Sequence, residues 1–77
     1  MMTDIKPEFV FPADEAILLV ARDVIRSSLN IGSFNMAFYR LCDLRSMVHF
    51  TLGPSHPLYS KIDAAMDEIL LGEWPKL

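Results

Sequence analysis

The chain has 77 residues, of which 52% are hydrophobic, and it carries a formal net charge of −3 at pH 7. A chain of this length forms a single domain and is too short for a two-lobed nucleotide-binding fold or a TIM barrel. No cluster of lysine or arginine residues supplies the positive surface on which nucleic-acid binding mainly depends, which makes a nucleic-acid partner unfavourable.

Residues 1–11 are predicted to form an extended N-terminal arm. Pro7 and Pro12 bound the segment Phe9-Val10-Phe11, which has β-prone side chains but cannot continue into a helix across the prolines. Phe9 and Phe11 have two alternative roles. They pack on the helices of their own domain, or they reach onto a second subunit or another protein.

A first helix is predicted over residues 12–29. Pro12 suits a first helical turn, Asp14 and Glu15 complement the positive end of the helix dipole, and Gly32 follows as a stop signal. Leu19 lies among charged residues on the face opposite the predicted core. That core face consists of Ile17, Val20, Ala21, Val24 and either Ser28 or Leu29, at helical spacing.

A second helix is predicted over residues 34–52, with Ser33 as its N-cap and Gly53-Pro54 as its end. Its main apolar stripe comprises Phe34, Ala37, Phe38, Leu41, Leu44, Val48 and Leu52. A second apolar stripe, with Asp43 inside it, lies almost opposite and comprises Met36, Tyr39, Met47 and Phe50. A helix that is apolar on two sides must be covered on both, either by neighbouring helices or by a second protein chain. We favour the second alternative.

Arg45 falls within the main apolar stripe of this helix. Burying an unpaired guanidinium is very costly. The side chain is therefore expected to extend into solvent, to pair with a carboxylate such as Asp14 or Asp23, or to await a protein partner, since arginine is enriched at binding hot spots.

A third helix is predicted over residues 57–71, with Pro57 in its first turn, His56 at its start and Gly72 at its end. Its core-facing residues are Leu58, Ile62, Ala65, Met66, Ile69 and Leu70. Residues 73–77 form a short tail, in which Trp74 is placed for the hydrophobic contact that accompanies a glycine stop. The predicted fold is all-α: three short helices in a small bundle, one domain over residues 12–72.

Chemistry-bearing residues are few. Cys42 and His49 are seven residues apart, or roughly 10.5 Å along a helix, which is too far for direct activation of a thiolate. Cys42, His49 and His56 do not have the spacing of a metal site. We therefore expect no enzymatic activity, no cofactor and no metal ion. The lone cysteine fits a reducing compartment, and the longest apolar run, residues 16–21, is too short to span a bilayer, so we expect a cytoplasmic protein without a membrane partner.

The sequence thus predicts a non-enzymatic, protein-binding regulator that forms a homodimer. Small acidic chains without catalytic groups are typical of bacterial, bacteriophage or mobile-element accessory proteins, many of which inhibit a larger host protein. Two alternatives remain open: a helix-turn-helix DNA-binding regulator, with its turn at residues 29–33, and a structural accessory subunit. The predicted dimer interface or protein-binding site comprises Phe9, Phe11, Leu19, Met36, Tyr39, Arg45, Met47 and Phe50.

Overall fold

The computed structural model describes residues 13–77, which form three α-helices packed into a small bundle. The helices are α1 (Ala13–Ile31), α2 (Phe34–Thr51) and α3 (Pro57–Leu70). The predicted all-α, three-helix fold is confirmed, and each predicted helix boundary lies within two residues of the observed one. The predicted arm over residues 1–11 lies outside the described residues.

Two residues, Gly32 and Ser33, end α1 and begin α2. Gly32 has a φ of 68°, a left-handed conformation that glycine adopts without a steric penalty. The Ser33 N–H donates to the Ser28 carbonyl over 2.9 Å, which closes the last turn of α1. The Ser33 side-chain oxygen then accepts a hydrogen bond from the Met36 N–H over 3.1 Å, as expected of an N-cap. Because the connection is so short, α1 and α2 pack as sequential neighbours.

The start of α3 depends on His56 and Pro57, as predicted. The Leu58 N–H donates to Nδ1 of His56 over 3.0 Å, so the imidazole caps the helix. Pro57 occupies the first turn, where its missing N–H has no partner to lose. On its other edge, Nε2 of His56 lies 3.9 Å from a carboxylate oxygen of Asp14, and this pair links the start of α3 to the start of α1.

The hydrophobic core lies along α2, which packs against both α1 and α3, whereas α1 and α3 contact each other little. All three helices therefore bury one face, and α2 is the central element. The buried apolar residues are Ile17, Ala21, Val24 and Ile25 of α1, Ala37, Leu41, Leu44 and Val48 of α2, and Leu58, Ile62, Ala65, Met66 and Ile69 of α3.

Two predicted core residues, Val20 and Leu70, are wrong, and of the two alternatives near the end of α1 it is Ser28 and not Leu29 that is buried. Val20 is 49% exposed, Leu29 is 50% exposed and Leu70 is 68% exposed. On α1 the buried face is rotated toward Ile25 and includes Ser28, which is fully buried in place of Leu29. The reason is the position of the neighbours: α2 and α3 cover only part of a wide apolar arc, so residues at its margins stay in solvent.

The C-terminal tail crosses back over the bundle. The indole of Trp74 stacks on Phe34, with ring centroids 4.2 Å apart and an angle of 18° between the planes. The Nε–H of Arg22 donates to the Leu77 carbonyl over 2.8 Å. Trp74 thus makes a structural contact, because it packs on the hydrophobic core and on Phe34 at the start of α2. The tail thereby contacts both α1 and α2.

Candidate protein-binding surface

The second apolar stripe of α2 remains uncovered by the rest of the described chain. We call this surface the outer stripe and define it by Met36, Tyr39, Asp43, Met47 and Phe50. Phe50 is 84% exposed, Tyr39 is 68% exposed and Met47 is 48% exposed, whereas Met36 is half-buried. The structure therefore places all four predicted apolar residues of α2 on one surface and leaves most of the area of the two aromatic residues in water.

Helical spacing explains this surface. The buried residues of α2 recur every three or four positions from Ala37 to Val48. The outer stripe has the same spacing from Met36 to Phe50. At about 100° per residue, its centre lies roughly 130° around the helix axis from the centre of the buried face. Because α1 and α3 both pack on the buried side and its margins, they leave most of the outer stripe open, and Tyr59 of α3 lies beside only its Phe50 end.

Each aromatic ring of the outer stripe contacts the ring of its neighbour in the chain. Tyr39 meets Phe38 edge-on at a centroid distance of 5.9 Å, and Phe50 meets His49 edge-on at 5.0 Å. Edge-to-face contacts of this kind are favourable for aromatic pairs.

Arg45 is engaged within the protein. Its Nη1 lies 2.5 Å from Oδ1 of Asp63 on α3, and the guanidinium carbon lies 6.0 Å from the centre of the Tyr59 ring. The hydrogen bond that Arg45 donates to the Asp63 carboxylate raises the pKa of Arg45 above its ordinary value. The predicted carboxylate pairing is thus present, but the predicted partners, Asp14 and Asp23, are wrong. The side chain leaves the apolar stripe toward α3 and not toward α1.

A shallow pocket of about 260 Å³ joins Arg45 to the outer stripe. It lies between the ends of α2 and α3 and is lined by Arg45, Ser46, His49, Phe50 and Tyr59. Phe50 therefore forms one wall of a depression that also contains a paired cation and a phenol ring. This arrangement can accept an apolar side chain with a polar group beside it.

Leu19 is separate from the outer stripe. It is 54% exposed on α1 and lines a surface depression together with Glu15, Leu18 and Arg22, all from its own helix. The structure thus does not bring Leu19 together with the four apolar residues of the α2 surface. Phe9 and Phe11, the remaining predicted site residues, lie outside the described residues.

Two exposed apolar residues were missed by sequence reasoning. Ile31 is 66% exposed at the end of α1, and Leu71 is 77% exposed just after α3. Both lie at helix ends next to a glycine stop, where the 3.6-residue periodicity no longer predicts which side faces the core. The signal that could have found them is their position beyond the last core residue of each helix, Ser28 and Ile69.

Other chemistry is sparse in the part of the chain that the structure describes. Cys42 is a half-buried free thiol beside the core. Residues 13–77 contain no group of three side chains suited to hold a metal ion, and none of their helices is long and apolar enough to cross a membrane. The outer stripe of α2 exposes two aromatic side chains and a methionine on one helix face. Comparison with protein-family models, with curated proteins and with solved structures finds no match to this chain.

Proposed function

We propose that this protein is a small, non-enzymatic regulator that binds another protein through the outer stripe of α2. The observation that carries the proposal is the exposure of Tyr39, Met47 and Phe50 on one face of the central helix. Aromatic residues and methionine are enriched in the cores of protein interfaces, whereas a free protein surface rarely concentrates them.

The free energies involved support a reversible interaction. Full burial of the Phe50 side chain is worth about 1.5–3 kcal/mol. Tyr39 and Met47 together add a similar or somewhat larger amount. Association itself costs about 4–15 kcal/mol. The outer stripe therefore supports weak to moderate binding, and a tighter complex requires additional contacts around it.

Binding regulates a larger protein in one of two ways. The chain covers a functional surface of that protein by steric occlusion, or it stabilises one conformation over another. The second mechanism requires a difference in affinity between the two conformations, because a ligand that binds both equally shifts nothing. An inhibitor of a host protein, encoded by a bacteriophage or another mobile element, is the form of this function that we favour.

The test compares three immobilised proteins in capture from a native lysate of the source cells: the wild type, Phe50→Lys and Leu70→Lys. Phe50 and Leu70 are matched, because both are exposed apolar residues in the last turn of a helix. A lysine there is favourable to the helix dipole in both cases. We expect the wild type and Leu70→Lys to retain the same protein, and Phe50→Lys to bind it at least tenfold more weakly in titrations with the purified partner.

Equal capture by all three proteins would show that the target binds outside the outer stripe. Empty capture by all three would favour a structural accessory role. Circular dichroism checks that the variants keep the helical content of the wild type, so that lost binding is not lost folding.

A further inference from the structure

We infer that a second copy of this chain occupies the outer stripe, with the two α2 helices antiparallel about a twofold axis near Asp43. The inference rests on the proposed function in one respect, since both require the outer stripe to bind protein. It goes further by assigning the occupant and the geometry. A twofold interface must be self-complementary, because each surface meets a copy of itself.

The apolar residues of the outer stripe satisfy this requirement. Asp43 lies midway along the stripe, with Met36 seven residues before it and Phe50 seven residues after it. An antiparallel pair centred on Asp43 sets Phe50 of one copy opposite Met36 of the other, and this contact occurs twice. Contacts between sulfur and aromatic rings are favourable. Tyr39, four residues before Asp43, lies opposite Met47 of the other copy, four residues after Asp43, so a second aromatic-to-sulfur contact forms nearer the axis.

The charged residues of this surface also become paired. Arg40 and Asp43 are both exposed, and neither takes part in an ion pair within residues 13–77. At the centre of an antiparallel pair, two Asp43 carboxylates lie near the axis. The two Arg40 side chains flank them, about 9 Å apart along the helices at 1.5 Å per residue. The four groups have no net charge. A parallel pair would place the two arginines at one level and the two aspartates at another, where like charges repel. The antiparallel pair brings only the two Asp43 carboxylates to one level and sets each of them between the two arginines.

The size of the surface sets the strength of the dimer. An 18-residue helix is about 27 Å long, and a single helix face covers less than the roughly 800 Å² per partner of a standard interface. The dimer is therefore expected to dissociate with a Kd in the micromolar range. A regulated target that uses the same stripe must displace the second copy, so self-association and target binding exclude each other.

The central test uses charge reversal followed by mixing. Asp43→Arg alone creates four positive groups at the crossing point, and Arg40→Asp alone creates four negative ones. We expect each variant alone to dimerise at least tenfold more weakly than the wild type in sedimentation equilibrium between about 1 and 500 μM. An equimolar mixture has two positive and two negative groups at the crossing, so we expect it to form a heterodimer with near wild-type affinity. A purely structural effect of either substitution would not be rescued by mixing.

Disulfide cross-linking tests whether the two α2 helices are antiparallel. In a Cys42→Ser background, Met36→Cys and Phe50→Cys proteins are expected to cross-link with each other on oxidation, because these positions face each other in the antiparallel pair. Cross-linking of each protein with itself, and not with the other, would show a parallel pair and overturn the geometry.

Different results would contradict the dimer and the regulatory function. A wild type that stays monomeric to about 500 μM overturns the second copy as occupant, and a target captured through Phe50 would then leave the proposed function intact. A dimer that Phe50→Lys does not weaken also overturns the inference. Conversely, a dimer with the expected charge pattern, together with empty capture, would support the inference and contradict the regulatory function.

Discussion

At the scale of single residues, Arg45 shows what local pattern can and cannot predict. Its place in the main apolar stripe of α2 correctly indicated that the guanidinium needs a partner. The choice between Asp14, Asp23 and Asp63 depended on which helix lies beside that edge of α2. The pair with Asp63 is set by the packing of α3, and helical periodicity carries no information about the neighbour. Both side chains are partly exposed, so the pair contributes little stability.

The buried hydroxyl of Ser28 is expected to lower the stability of the bundle. Ser28 is fully buried, and its side-chain oxygen has no hydrogen-bond partner within the described residues. An unsatisfied buried polar group costs about 1–3 kcal/mol. We therefore expect Ser28→Ala to raise the free energy of unfolding by about 1 kcal/mol, measured by urea denaturation.

The matched control is Ser27→Ala at the adjacent, exposed position. It gains only the helix propensity of alanine, about 0.5 kcal/mol or less. A Ser28→Ala protein that is no more stable than Ser27→Ala would show that the Ser28 hydroxyl is satisfied in solution.

At the scale of helices, the boundaries were predictable because their signals are local. Ser33, His56 and the glycines after each helix act through hydrogen bonds and backbone angles within a few residues of themselves. The buried face of α1 was less predictable. Val20 belongs to the same apolar arc as Ala21 and Val24, but only the position of α2 decides which edge of that arc is covered.

The turn between α1 and α2 requires glycine at position 32 because of its backbone conformation. A side chain at Gly32 would meet no heavy atom within 4 Å, so its only penalty is the positive φ of 68°. We expect Gly32→Ala to lower the free energy of unfolding by about 1–2 kcal/mol. Gly32→Asn should cost less, because asparagine tolerates the left-handed region better than alanine does.

Chemical denaturation measures both values, with helical content from circular dichroism as the folding control. Equal costs for alanine and asparagine would point to a contact at this turn and not to backbone conformation. A stabilising Gly32→Ala would mean that the turn adopts a negative φ in solution.

At the scale of the whole molecule, the sequence predicted the two-sided character of α2 but not its outcome. The spacing of Met36, Tyr39, Met47 and Phe50 located the second stripe correctly. Whether α1 or α3 would cover it depended on their packing angles, which the hydrophobic pattern does not specify. In the described chain both helices pack on the other side, so apolar residues that a larger domain would bury remain on the surface.

If a second copy covers that surface, thermal stability must depend on protein concentration. When a dimer unfolds to two free chains, a tenfold rise in concentration stabilises each chain by about 0.7 kcal/mol through mass action. For a chain of this size such a change raises Tm by about 3–5 °C. We expect this rise for the wild type and for Leu70→Lys between about 50 and 500 μM, under reducing conditions that keep Cys42 a free thiol.

The Phe50→Lys protein should behave differently in the same experiment. Phe50 is 84% exposed in the single chain, so replacing it removes almost no packing within the bundle. Its Tm should therefore equal the value that the wild type approaches well below the dimer Kd, and it should not change with protein concentration. If the wild-type Tm were independent of concentration, the bundle would be stable as a single chain and its outer stripe would be open to a different protein.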